Sequence, residues 1–321
     1  MNDPSSSAVV VDALRCTGLS RRFGDRVAVD DVSFRIAAGE TYGLLGPNGA
    51  GKTTTISLIT GILAADAGTV LVGGERITTT AGAAKGRIGL VPQDIALYPD
   101  LTARENLRFF GRLQGLGRVV LARRIDAVLD VVGLRDRADD RIDEYSGGMK
   151  RRANVAVGLL HEPSLLILDE PTVGVDPQSR NQILESVEAL GAEGMAVLYT
   201  THYMEEAERL CARVGIIDDG RLIAEGTRRE LIDRVGGHDR IDVEAAGDLT
   251  GLRVRLLALA EVTAVDAIDG GLRVTAAGGR RALAPVVLAA DASDVQVAGI
   301  DVREPDLEDV FLHLTGKALR D

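Results

Sequence analysis

Eight consecutive residues carry the clearest chemistry in the chain. Gly46-Pro47-Asn48-Gly49-Ala50-Gly51-Lys52-Thr53 is a complete Gly-x-x-x-x-Gly-Lys-Thr loop. Glycines at these spacings let the backbone curl until successive N–H groups point inward at phosphate oxygens, and a helix that follows adds its positive N-terminal end. In such a loop Lys52 reaches the β- and γ-phosphates of a nucleotide, and the Thr53 hydroxyl binds Mg2+. A glycine-rich turn with a solvated lysine is the bland alternative. The flanks argue against it: Tyr42-Gly43-Leu44-Leu45 is an apolar, strand-like run, and after Thr54 the residues Ile56, Ile59 and Ile62 recur at helical spacing. Strand, loop and helix are the context the motif requires.

Further candidates sit where other strands end. Leu165-Leu166-Ile167-Leu168 is a continuous apolar run of the kind found in buried parallel strands, and it runs into Asp169-Glu170-Pro171. Open parallel sheets place chemistry at the carboxyl ends of their strands. There Asp169 can hold Mg2+ through water, while Glu170 polarises an attacking water as a general base. Ala196-Val197-Leu198-Tyr199-Thr200 ends in Thr201-His202, where an imidazole can donate to a γ-phosphate. Gly86–Val91 ends in Pro92-Gln93; the proline stops the strand and turns out a neutral amide that can touch a metal or a water.

Two of the remaining features read two ways. Ser146-Gly147-Gly148 opens a helix as an N-cap with exposed N–H groups, either an ordinary turn or a second anion site that needs a phosphate from elsewhere. Asp176 lies in the tight turn Gly174-Val175-Asp176-Pro177. Phe23, at a strand end beside Gly24-Asp25, is either core or a flat apolar surface for a base.

The elements that must position these residues follow from periodicity. Short strands are predicted at 13–17 and 32–36, at 68–72, and as a hairpin at 213–218 and 221–225. Residues 102–141 turn helical, with a break at Gly115 and Gly117, and form an insertion between sheet strands. A helix from Thr227 to Val235 precedes Gly236-Gly237, the expected domain boundary. Residues 240–321 then read strand, helix, strand, strand, helix, strand and a final helix from Leu307, the βαββαβ order of a ferredoxin-like domain.

Composition bounds the rest. At 321 residues two domains are expected, with a disordered lead over residues 1–11 that lacks the pattern of a signal peptide. No window approaches the roughly 18 apolar residues of a membrane span, so a soluble, cytosolic chain is expected. With 37 basic against 48 acidic residues the net charge is −11, and no basic stripe interleaved with aromatics occurs, which argues against nucleic acid as a partner. Cys16 and Cys211 lack metal-ligand spacing and read as reduced packing residues.

The ordered set of phosphate loop, Gln93, Ser146-Gly147-Gly148, Asp169-Glu170, Asp176 and His202 resembles the ATP-binding subunit of an ABC transporter over residues 12–235. The resemblance implies an α/β P-loop NTPase fold of ABC type with a helical insertion, plus the small α+β C-terminal domain. It implies ATP and Mg2+ as cofactors, with Gly46 through Thr54 on the phosphates, Phe23 stacked on adenine, and Thr53, Gln93 and Asp169 at the metal. Glu170 and His202 become catalytic, and Gln93 also senses the membrane subunit. Ser146, Gly147 and Gly148 become the signature that clamps the γ-phosphate of an opposite subunit, and Asp176 the D-loop aspartate.

Two copies would sandwich two ATP molecules and drive a polytopic membrane permease from the cytoplasmic face. The usual signature begins with Leu and ends with Gln, where this chain has Tyr145 and Met149. The run Glu304-Pro305-Asp306-Leu307-Glu308-Asp309-Val310-Phe311-Leu312 is similar to exporter subunits of the daunorubicin-resistance type. Two rivals explain less. A P-loop kinase leaves Ser146-Gly147-Gly148 and His202 without a role, and a soluble ABC ATPase that remodels a ribosome or DNA usually carries two cassettes or a long coiled coil.

Overall fold

The computed structural model describes residues 12–235, 238–277, 279–293, 295–303 and 305–316; the expected lead over 1–11 lies outside them, as do Gly236-Gly237 and Glu304. The chain divides into two compact units between Thr227 and Arg228.

The first unit runs β1 (Leu14–Phe23), β2 (Arg26–Ile36), β3 (Thr41–Leu45), α1 (Lys52–Ile59), β4 (Ala67–Val72), β5 (Glu75–Arg76), α2 (Gly82–Lys85) and β6 (Ile88–Val91). It continues through α3 (Ala103–Leu113), α4 (Arg118–Val131), α5 (Gly147–Leu159), β7 (Leu165–Asp169), α6 (Pro177–Ala192), β8 (Ala196–Thr201), α7 (Met204–Leu210), β9 (Arg213–Asp218) and β10 (Arg221–Gly226).

Two sheets result. An antiparallel sheet has the order β2-β1-β4-β5, and a six-stranded sheet the order β10-β9-β3-β8-β7-β6. In the second, β9, β3, β8, β7 and β6 run parallel, and β10 returns antiparallel to β9. All five residues of β3 and of β7 are buried, as their unbroken apolar runs require of central strands. Register then sets the site: Leu45 lies opposite Thr201, Asp169 opposite Thr200, and Val91 opposite Leu168. The phosphate loop, His202, Glu170 and Gln93 therefore leave adjacent strand ends on one edge.

Expected strands at 13–17 and 32–36 prove to be parts of one long hairpin, β1 and β2. Register shifts near Leu19 and Arg21, and a positive φ of 60° at Gly18, break the two-residue alternation that would have revealed the full length. The helical insertion matches its expected two helices, α3 and α4. Its buried face, including Leu107, Leu121, Ile125 and Leu129, packs with α5 residues such as Ala156 and Leu159. Tyr145 is buried there too and donates its hydroxyl to the Arg137 carbonyl at 2.5 Å, so the residue before Ser146 belongs to the core of the insertion.

The second unit contains α8 (Arg228–Arg234), β11 (His238–Gly247), α9 (Leu249–Leu257), β12 (Val262–Ile268), β13 (Gly271–Ala277), α10 (Gly279–Asp291), β14 (Val295–Arg303) and α11 (Leu307–Thr315). Its antiparallel sheet has the order β12-β13-β11-β14, so the expected βαββαβ succession is the observed one. Ile241, Val243, Leu252, Leu256, Val274 and Val286 form its core. The boundary falls earlier than residues 235–237. Helix α8 joins this unit, packing on α11 and donating from Arg228 Nη2 to the Pro305 carbonyl at 3.0 Å.

Candidate active site

The phosphate loop closes against its neighbours so tightly that side chains are excluded at two positions. A Cβ on Gly46 would lie 2.2 Å from the Ile217 carbonyl oxygen. Gly51 has φ of 109° and a Cβ there would lie 2.6 Å from the Ala28 carbonyl. Gly51 is also the N-cap of α1 and offers no side chain to its first turn, which leaves those N–H groups facing the loop for an anion. Lys52, the first residue of α1, is only 4% exposed. Its ammonium donates to the carbonyls of Gly46 at 2.7 Å and Pro47 at 3.1 Å and pairs with Glu170 Oε1 at 2.9 Å.

Glu170 is held in an uncommon conformation, with φ of 46°. For a non-glycine residue this costs on the order of 1–3 kcal/mol and persists only where the surroundings enforce it. The enforcing bonds run from its N–H to the Thr200 carbonyl at 3.2 Å and to Thr200 Oγ1 at 3.0 Å. Beyond Lys52, its carboxylate is approached by Gln93 Nε2 at 3.5 Å, a weak contact, and by His202 Nδ1 at 3.3 Å. The imidazole nitrogen is close but not aligned for a hydrogen bond, so it is placed by proximity rather than locked.

Asp169 is 3% exposed, and its Oδ1 accepts from Thr200 Oγ1 at 2.7 Å. Burial lifts its carboxyl above the ordinary range, with the Thr200 and Thr53 hydroxyls pulling the other way. A desolvated carboxylate beside the loop threonine is suited to a hard cation. No group of three or more His, Cys, Asp or Glu among the described residues forms a metal cage.

Phe23, Arg26, Asn48, Thr54 and Gln93 share with Gly49, Gly51, Lys52, Thr53 and Glu170 a cleft of about 560 Å3. Phe23 is 45% exposed, which removes the core reading; the Arg21 guanidinium lies 4.9 Å from its ring centre.

Ser146, Gly147, Gly148 and Asp176 do not line this cleft. Ser146 Oγ caps α5 by accepting from the Met149 N–H at 3.2 Å, and Gly148 packs so closely on Ser179 that a Cβ would meet its Oγ at 2.0 Å. Asp176 caps α6 through the Ser179 N–H at 2.9 Å, and bonds from Ser179 hold its carboxyl below the ordinary range. Gly148 and Asp176 thus meet through Ser179.

Several residues of the site escaped the sequence. Thr200 supports both acidic residues, and a threonine in a strand otherwise read as core was its only trace. Arg151 of α5 donates to the Gln93 carbonyl and, at 3.1 Å, to the Val173 carbonyl, which ties α5 to both segments. Arg26, on a surface turn by pattern, reaches the Gly49 carbonyl at 3.3 Å.

Fold and cleft together define a nucleoside-triphosphate-binding domain built on a phosphate loop. The family model described as ABC transporter matches residues 29–173. The chain is 46% identical to the linearmycin resistance ATP-binding protein LnrL of Bacillus subtilis (strain 168), over 96% of this chain and 100% of that protein. It is 42% identical to the daunorubicin resistance ATP-binding protein DrrA3 of Streptomyces coeruleorubidus over 97% of each, and 42% identical to the Nod factor export ATP-binding protein I of Ralstonia nicotianae over 96% and 95%. A solved ATP-binding subunit of an ABC transporter superposes with a TM-score of 0.63 at 32% identity, covering 70% of this chain and 93% of that one. The chain belongs to the ATP-binding subunits of ABC transporters, and its enzymatic activity is ATP hydrolysis coupled to transport. No helix among the described residues is long and apolar enough to cross a membrane.

Proposed function

We propose that this chain hydrolyses ATP at an interface with a second copy of itself and thereby powers export by a separate polytopic permease, from the cytoplasmic face of the membrane. The observation that carries the reading is the division of the site. Lys52, Thr53, Gln93, Asp169, Glu170 and His202 converge on one edge, while Ser146-Gly147-Gly148 and Asp176 lie outside the cleft and need a partner's phosphate.

In this scheme Phe23 stacks on adenine, and Gly46 through Thr54 surround the phosphates. Lys52 exchanges Glu170 for the β- and γ-phosphates, which frees Glu170 to orient the attacking water. His202 donates to the γ-phosphate, and the signature N–H groups of the other copy close on it. Thr53, Gln93 and Asp169 offer a hydroxyl, an amide and a carboxylate to Mg2+, too few oxygens to hold it without the nucleotide. When bound, the ion neutralises phosphate charge.

Helix α3 and the segment after Gln93 form the proposed permease contact. Tyr98 and Phe109 stand there 48% and 39% exposed, ring centres 5.0 Å apart. The cargo in this scheme is a drug or other hydrophobic compound, a reading supported by the resistance-named relatives. Nucleic acid is not a partner in this scheme.

The Glu170→Gln form, locked with ATP and Mg2+, tests both halves. By light scattering it should be a dimer, and from native cells it should bring down a stoichiometric polytopic membrane protein. A monomer would refute the sandwich; ribosomal proteins or DNA in place of a membrane protein would refute the transporter assignment.

A further inference from the structure

Glu206, in α7, is 2% exposed and lies outside every motif so far described. Three hydroxyls converge on its carboxylate. Thr172 Oγ1 donates to Oε1 at 2.7 Å, and the Tyr199 hydroxyl and Thr201 Oγ1 each donate to Oε2 at 2.9 Å. The nearest cation, Arg180, keeps its Nε 3.6 Å away, beyond hydrogen-bond reach, and rests its guanidinium 4.5 Å over the Tyr203 ring. Burying a carboxylate this way is seldom the most stabilising choice, since apolar residues of similar volume often serve as well or better.

The two segments this carboxylate joins are the ones that carry Glu170 and His202. Thr172 belongs to the turn after Glu170, in which the Val173 N–H donates to the Glu170 carbonyl at 3.3 Å. Thr201 precedes His202, and its hydroxyl accepts from the Tyr203 N–H at 2.9 Å while donating to Glu206. The backbone on both sides of the imidazole is therefore fixed through Thr201 to the same carboxylate that holds the turn after Glu170. His202 and Glu170 themselves share no aligned hydrogen bond, so something else must set their 3.3 Å approach.

We propose that Glu206 is a positioning residue for hydrolysis, holding His202 against Glu170 and the γ-phosphate by tying Thr201 to Thr172. The proposal rests on the assignment of Glu170 and His202 to the hydrolytic step.

The test uses the full chain and compares Glu206→Gln, Thr172→Val and Thr172→Ser, each alone and with His202→Ala. ATP hydrolysis is followed at steady state and, in the slow backgrounds, at single turnover. Gln replaces one accepting carboxylate oxygen with an NH2 group that faces a donating hydroxyl, and Val removes one of the hydroxyls at constant volume. Either should lower kcat about tenfold or more while the KM for ATP stays within about twofold, because binding groups are untouched. Thr172→Ser, which keeps the hydroxyl, should retain most of the turnover. In the His202→Ala background neither change should add a further loss, since the residue acts through His202.

A loss of equal factor in that background would overturn the proposal, as would a lower melting temperature with wild-type kcat. If Glu206→Gln does not fold, the Thr172→Val and Thr172→Ser pair decides alone: equal turnover in both overturns the idea. Full turnover in Glu170→Gln or His202→Ala would overturn the underlying site assignment, and this proposal with it.

Discussion

Replacing Glu170 with Gln should tighten nucleotide binding as well as stop hydrolysis. A lysine ammonium has three donors, and all three of Lys52 are engaged, by Gly46, Pro47 and Glu170. Phosphates can recruit Lys52 only by displacing one of these partners, and the carboxylate is the one that competes by charge. The pair is desolvated, with side chains 4% and 6% exposed, so solvent screening does not erase it. A hydrogen bond to a charged group contributes about 1.5–3 kcal/mol against about 1 for a neutral acceptor. Neutralising Glu170 should thus lower the cost of releasing Lys52 by about 0.5–2 kcal/mol, a factor of about 2–30 in affinity. ADP is the proper ligand for the calorimetric titration, since it is not hydrolysed and carries no γ-phosphate to complicate the result by repulsion. His202→Ala, which leaves the ion pair in place, is the control and should bind ADP as the wild type does. An ADP affinity of Glu170→Gln no tighter than that of wild type would refute the argument that the ion pair restrains Lys52.

Two further outcomes are expected. Asp169→Asn should raise the melting temperature of the nucleotide-free protein at neutral pH while abolishing Mg2+-dependent turnover. Burial lifts the Asp169 carboxyl above its ordinary value of 3.8, so the folded chain holds a proton that the unfolded chain releases, and this group's contribution falls as pH rises through that window. The gain should fade as pH drops below the ordinary carboxyl range, and a lower melting temperature at pH 7 would contradict it. Phe23→Ala should weaken ATP binding by about 1–3 kcal/mol, the usual worth of a base stacked on an aromatic ring. Because the ring is 45% exposed, the urea midpoint should hardly move; a large loss of stability with unchanged binding would restore the core reading.

The sequence by itself picked out the candidate residues and the order of the elements. The phosphate loop, the Asp169-Glu170 pair, His202 and Ser146-Gly147-Gly148 are local motifs recognised from residue type and spacing, and the βαββαβ order of the second unit shows in periodicity alone. Elements interrupted by bulges, such as the long β1–β2 hairpin, were underestimated because a single inserted residue reverses the alternation on which a strand is recognised. The place of α8 was also illegible: glycines mark flexible chain, whereas unit membership depends on packing against α11, far along the sequence.

Tertiary structure alone decided how these residues meet. Register across β6, β7, β8 and β3 sets Gln93, Glu170, His202 and the loop side by side; it took the folded sheet to engage Lys52 with Glu170, to bond Thr200 to both the Asp169 carboxylate and the Glu170 N–H, and to make Glu206 a hub for three hydroxyls. The physical reason is range. A motif encodes what a few neighbouring residues do to a ligand, while the ion pairs and hydrogen bonds that restrain or align them join residues dozens of positions apart, and only burial in a common interior gives those contacts their strength.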